Sequence, residues 1–149
     1  MPTVSRSALV PHAAAQMFEL VNDIERYPQF LPWCRAARID ARDGEVLDAT
    51  LTIANGRWQE QFTTRNTAVA QQTIRMRLLR GPFRRLDGEW HFVALADDSG
   101  ASGCKVSLVL DFELARPLLG HAIGGVFGRA ASTMVDAFCA RADAVYATR

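Results

Sequence analysis

The chain is short of the residues that would staple or metallate a fold. Its three cysteines, Cys34, Cys104 and Cys139, are odd in number, far apart and never in a C-x-x-C pair. That excludes a standard structural zinc motif and argues against a disulfide framework; buried free thiols are expected instead. Histidine is as scarce: His12, His91 and His121 share no ligand spacing with a cysteine or carboxylate. There is no phosphate-binding glycine loop, no G-x-S-x-G elbow and no H-E-x-x-H, so the familiar motifs for phosphate binding, acyl transfer and zinc hydrolysis are missing. No apolar run approaches the ~18 residues that cross a bilayer. Met1 to Val10 has no basic-then-apolar signal pattern. The expected location is the cytoplasm, or the inner face of a membrane as a peripheral protein.

What is present suits one folded domain, 1–149. A chain of 149 residues can bury about 70% of the surface it exposes when unfolded, and needs no staple. The hydrophobic share is 49% against 22% charged. The net charge of +1 says little, but its distribution says more. From Arg57 to Arg85 the chain carries Arg57, Arg65, Arg75, Arg77, Arg80, Arg84 and Arg85 against one acid, Glu60. Asp87, Glu89, Asp97, Asp98, Asp111, Glu113, Asp136 and Asp143 follow in the C-terminal half. Such asymmetry points to one basic surface.

Periodicity gives the elements. Thr3 to Val10 reads as a strand. Pro11 suits a helix start, and Ala13 to Val21 carries Met17, Phe18, Leu20 and Val21 on one side. Asp23 can cap a second short helix. Tyr27 to Cys34 holds Pro28 and Pro32, which forbid a regular helix across it. Its large apolar side chains must pack on the core or line a cavity mouth. A weak strand, Arg35 to Ala41, precedes the Asp43-Gly44 turn. Leu47, Ala49, Leu51 and Ile53 then alternate with Asp48, Thr50 and Thr52 up to the Asn55-Gly56 hairpin signal. Trp58 to Asn66, Gln72 to Leu79, Leu86 to Ala96 and Cys104 to Leu114 alternate likewise. After Pro117 the apolar spacing becomes helical to Tyr146, about eight turns or ~45 Å. One strand, two short helices, six consecutive strands and a long helix make an α+β protein: a curved antiparallel sheet of about seven strands around the last helix.

Such a sheet does not automatically fill its interior. Tyr27, Phe30, Leu31, Trp33, Leu51, Phe62, Met76, Phe83, Trp90, Phe92, Phe127 and Met134 are the large side chains available to line a cavity. Singly each reads as core; together they suit an apolar ligand with few polar anchors. Tyr27, Arg57, Gln59 and His91 are the candidate anchors. Gly120, Gly124 and Gly128 lie four apart on one helix face, with Gly125 beside them. Either the helix packs closely there, or that end yields to act as a gate. Glu60 would face inward as an acid or base with a raised pKa, or pair with an arginine. Arg75, Arg77, Arg80, Arg84 and Arg85 form either a solvated sheet face or a surface for an anionic partner, lipid headgroup or RNA.

The segment Val21-Asn22-Asp23-Ile24-Glu25-Arg26-Tyr27-Pro28-Gln29-Phe30-Leu31-Pro32-Trp33-Cys34 resembles the signature of the coenzyme-Q-binding START family of bacteria and mitochondria. So do Phe62-Thr63-Thr64-Arg65-Asn66, Gly81-Pro82-Phe83 with Leu86, and Gly88-Glu89-Trp90-His91-Phe92. Asp111-Phe112-Glu113, and Ala137-Phe138-Cys139 with Ala142 and Tyr146, complete a resemblance that covers nearly the whole chain in order. It implies a helix-grip (START/Bet v 1-like) fold and a single lipid-binding domain. It implies non-catalytic binding of ubiquinone or a similar polyprenyl lipid as ligand, with no cofactor required, in support of respiratory electron transport or quinone biosynthesis. Bacterial members also carry the name of ribosome-association toxins, which implies the large ribosomal subunit as a partner. Others are called oligoketide cyclases, which would imply an enzyme.

Overall fold

The computed structural model describes residues 3–55, 58–81, 83–96, 102–114 and 117–146, with side chains described at all of these except 55, 58, 96, 102, 114 and 117–127. The elements run β1 (Thr3–Val10), α1 (Ala14–Asn22), a 3-10 turn (Ile24–Gln29), β2 (Cys34–Asp43), β3 (Val46–Asn55), β4 (Trp58–Val69), β5 (Thr73–Arg80), β6 (Phe83–Ala96), β7 (Ser102–Leu114) and α2 (Pro117–Tyr146). The seven strands form one antiparallel sheet in the order β1-β7-β6-β5-β4-β3-β2. The short links between β2 and β7 dictate this order, because a strand that returns through a tight turn can only pair antiparallel with its neighbour. Only β1 leaves sequence order, and it closes the far edge against β7.

Local chemistry sets the boundaries. Gly44 has φ +62 in the β2–β3 turn, a left-handed conformation that glycine adopts without steric cost. The β3–β4 ladder runs unbroken from Val46 opposite Thr67 to Asn55 opposite Trp58. Ala13 donates its N–H to the Gln16 carboxamide at 3.0 Å, which starts α1. Pro11 therefore precedes the helix rather than opening it. Asp23 makes no side-chain cap to the 3-10 turn; it pairs with Arg26 at 2.9 Å. Pro28 is accommodated inside that turn, so the proline-rich segment is more ordered than a bent connection.

Four strands are longer than their alternation suggests, β2 by one residue at its start and two at its end and β7 by two at its start. β4 continues to Val69, and β6 begins at Phe83 rather than Leu86. Gly81, with φ +148, explains the early start of β6. A Cβ there would lie 2.6 Å from Phe62 Cβ, so only glycine lets the chain cross β4 closely and resume a strand at once.

The core lies on the concave face. Phe138 of α2 is fully buried and meets Trp90, Tyr27 and Phe30 edge-on with centroids 5.2–5.3 Å apart. Removing such a side chain from water contributes about 1.5–3 kcal/mol. α1 adds Met17 and Val21 to the same core, and Phe18 meets Phe92 at 5.7 Å. His12 joins Asp143 at 2.8 Å and Tyr146 donates to the Gln16 carbonyl at 3.3 Å, fastening the end of α2 to α1.

Candidate functional site

The concave face carries two apolar clusters. One gathers Met17, Ile24, Tyr27, Trp90, Phe92 and Phe138 around α1, the 3-10 turn and the later turns of α2. The other gathers Ile53, Phe62, Phe83, Leu86, Leu110, Phe112 and Ala131. A cavity of about 50 Å³ takes its wall from both. Ile24, Tyr27 and Trp33 line it from one side. Ala49, Leu51, Phe62, Thr64, Asn66, Met76, Leu86, Trp90, Leu108 and Leu110 form its floor, and Ala130, Ala131 and Met134 of α2 form its roof.

Of the side chains expected to line a cavity, Tyr27, Trp33, Leu51, Phe62, Met76, Trp90 and Met134 do so. Four are placed elsewhere. Leu31 is core, Phe92 stacks on Trp90, and Phe83 packs on Phe62 and Phe112. Phe30 lies against Phe138 with the Arg141 guanidinium 5.1 Å over its ring. Gly120, Gly124, Gly125 and Phe127 fall within α2 but outside the residues with described side-chain surroundings, as does Arg57 between β3 and β4. Gly128 is described: a Cβ there would meet nothing within 4 Å among the described residues. Among the described residues, none packs closely enough to require glycine at that position.

The expected polar anchors are used otherwise. Tyr27 is buried and its hydroxyl donates to the Val21 carbonyl; burial, helped by Cys34 and Asp23, pushes the phenol far up and keeps it neutral. Gln59 is exposed and accepts from Arg35 at 2.7 Å. His91 lies on the convex face, 2.9 Å from Glu89. Glu60, opposite Ile53 on the concave side and half-buried, makes no ion pair among the described residues, so the pairing with an arginine is not found. Cys34 is buried and donates to the Ala36 carbonyl at 3.4 Å. Burial pushes its thiol up to about 11 against the pull of that bond, so it is protonated at neutral pH and a poor nucleophile.

The polar groups that sequence reasoning missed are Thr64 and Asn66. Both are 6% exposed, and the Thr64 hydroxyl donates to Asn66 Oδ1 at 2.7 Å. Among the described residues the Asn66 amide nitrogen has no partner. Asparagine is a poor strand former. The available signal was the two-residue alternation itself: Phe62, Thr64, Asn66 and Ala68 share the inward face of β4.

The convex face is charged but not uniformly basic. A bulge in β2 between Ile39 and Ala41 places Asp40 where it accepts from Thr50 and, at 2.7 Å, from Arg38, with Arg80 at 4.0 Å. Thr50 in turn meets Thr63 at 2.7 Å. The Thr50 hydroxyl first, then Arg38, holds the Asp40 carboxyl below its ordinary range. Asp48 is held low by the two-point bond from Arg65, at 2.9 and 3.1 Å. Arg84 faces Glu113 at 3.6 Å, and Arg85 is opposite Glu113 in the ladder. Arg75 stands across from Glu89 and Arg77 across from Asp87. The expected basic surface is thus corrected to a mixed lattice: the C-terminal acids return on β6 and β7 beside the arginines of β5. Arg75 and Arg77 remain exposed and make no ion pair within 4.0 Å among the described residues.

Among the described residues no group of three or more His, Cys, Asp or Glu side chains could hold a metal ion, and no helix is long and apolar enough to cross a membrane. The three cysteines are free.

Residues 10–139 match the family described as polyketide cyclase / dehydrase and lipid transport. The chain is 46% identical over 143 residues, 96% of each chain, to a Pseudomonas aeruginosa protein named ribosome association toxin RatA. It is 24% identical over 147 residues to the mitochondrial coenzyme Q-binding protein COQ10 homolog B of Xenopus laevis, covering 95% of this chain and 58% of that one. Among solved structures, a Thermus thermophilus protein superposes with TM-score 0.80 at 19% identity over 97% and 99% of the two chains. An aromatase/cyclase from a Streptomyces species gives 0.78 at 19% over 95% and 93%. Likeness at that identity shows the fold alone, and the fold is the helix grip. The chain belongs to the polyketide cyclase / dehydrase and lipid transport family, in its START-like form.

Proposed function

We propose that this protein binds a polyprenyl quinone, or a lipid of similar ring-and-tail shape, in the concave cavity and carries it without transforming it. The observation behind this reading is the cavity itself: it sits at the seam of two apolar clusters, and its wall is apolar apart from Thr64, Asn66 and the polar tips of Tyr27, Trp33 and Trp90. A prenyl chain gains about 0.8 kcal/mol per buried methylene in such surroundings. The family's description includes lipid transport, and the frog relative's name includes coenzyme Q binding.

Pockets for ligands of this size run roughly 300–1,000 Å³, so a cavity of about 50 Å³ has to widen. Met76 and Met134 are the walls suited to move, because an unbranched thioether chain changes rotamer at little cost. The space beside Gly128 gives the roof somewhere to yield.

The test is to purify the protein from its host, extract it with solvent and identify bound lipid by mass spectrometry. Stoichiometric quinone is expected. Lipid-free protein that also ignores added quinone would overturn the reading.

A second reading, association with the large ribosomal subunit, is favoured by the name of the 46% identical relative and by the exposed Arg75 and Arg77. Charge reversal at Arg75, Arg77 and Arg84 separates the two. Ribosome co-sedimentation should collapse under the second reading, whereas quinone occupancy should be unchanged under the first.

A further inference from the structure

The floor of the cavity lacks one side chain. Gly88 on β6 is buried and shares the concave face with Leu86 and Trp90. Its ladder partners are Met76 on β5 and Leu110 on β7. All four of these neighbours line the cavity, so the glycine stands at their centre. Its φ is not positive, and no backbone strain asks for glycine there. The room above it is occupied all the same. A Cβ at Gly88 would lie 2.6 Å from Met76 Cε and 2.8 Å from Leu110 Cδ1, with the Val109 carbonyl oxygen at an ordinary 3.7 Å. The far ends of two flexible side chains fill this space, not the main chain. Glycine inside a strand is the less stable choice, and it often marks a place where something else approaches the backbone closely.

We propose that Gly88 determines the size of ligand the concave cavity accepts, by leaving free of any fixed side chain the volume into which the cavity widens. This rests on the reading of the cavity as a quinone site. When a ligand enters, the ends of Met76 and Leu110 change rotamer and swing aside, and the ligand settles against the bare backbone of β6. A methyl group at position 88 would take that depth away, because it cannot rotate out of the way. In the empty protein the same methyl does little harm. The two displaced ends have a cavity of about 50 Å³ to move into, and alanine in place of glycine narrows the conformations of the unfolded chain. Stability and ligand capacity therefore pull in opposite directions at this one position.

The experiment is a titration of the intact protein with a short-chain ubiquinone, beside its urea midpoint, for wild type, Gly88→Ala, Met76→Ala and the double variant. Gly88→Ala should bind about tenfold more weakly, the penalty of one methyl forced into a filled site, with an unchanged or higher urea midpoint. Met76→Ala restores room, so Gly88→Ala added to it should cost no more than about twofold. Unchanged quinone affinity in Gly88→Ala, a lowered urea midpoint, or the full tenfold loss in the Met76→Ala background would overturn the role of Gly88 while leaving quinone binding intact. No binding by wild type would overturn the reading of the cavity, and this inference with it.

Discussion

The two faces of one sheet are built to opposite rules. On the concave face every alternate side chain of β3 and β4 from Leu47 to Ile53 and Phe62 to Ala68 is apolar except Thr64 and Asn66, and the surfaces of sheet and α2 do not quite fill the space between them. On the convex face arginines and carboxylates oppose one another across strands, and the buried groups are hydroxyls with partners: Thr50 with Asp40 and Thr63. One face spends its hydrogen bonds internally and offers charge to water. The other is dry, incompletely packed and holds one amide in reserve. A face whose buried hydroxyls are paired is a stable wall; a face that leaves volume unfilled is where a ligand has something to gain.

The largest expected effect tests the packed part of the concave side. Phe138→Ala removes the ring that Trp90, Tyr27 and Phe30 all meet, and should cost about 3–5 kcal/mol in urea unfolding. A cost under 1 kcal/mol would mean that this cluster is as loosely packed as the cavity beside it. On the convex side, Thr50→Val strands Thr63 and Asp40 and should cost about 1–2 kcal/mol at pH 7. The Asp40 carboxyl is depressed in the folded state, chiefly by Thr50, so its stabilisation is present above the ordinary carboxylate range and is lost as pH falls through the folded value. The gap between wild type and Thr50→Val should accordingly narrow as pH falls below about 4, leaving the share that belongs to Thr63; a gap that does not change with pH would remove Asp40 from the explanation. Gly128→Ala should raise stability by about 0.5–1 kcal/mol, since the new methyl meets none of the described residues and glycine is the costlier helix residue. A loss instead would show that the space is occupied. Smallest of all, Arg75→Gln should change stability by no more than about 0.5 kcal/mol, as expected of an exposed side chain without an ion pair.

The same contrast explains what the sequence discloses. Strands alternate because one face is wet and the other dry, so the order of elements, the antiparallel sheet and the long final helix are all legible in the spacing of Leu47, Ala49, Leu51 and Ile53 and their counterparts. Facing is legible too, but burial is not. Thr50, Thr52 and Thr63 read as a solvated face, yet they are buried, because the Asp40 bulge and the long side chains of Arg38 and Arg65 come from strands whose register no local pattern reveals. The mixing of charge on that face is hidden for the same reason: Glu89 and Asp87 come to stand across from Arg75 and Arg77 only through the β5–β6 pairing. The aromatic set names half of the cavity wall correctly, since inward alternation places Phe62, Met76 and Trp90. It misses Asn66, whose residue type suggests a turn, and the small roof residues Ala130 and Ala131, whose role is to leave room.

The most direct test is methyl NMR of the intact protein during titration with a short-chain ubiquinone. If the concave cavity is the binding site, the methyl groups of Met76, Met134, Ala130 and Ala131 shift together and saturably, while those of Val69 and Val93 on the convex face stay where they are. Shifts confined to Val69 and Val93, or none at saturating quinone, would contradict it.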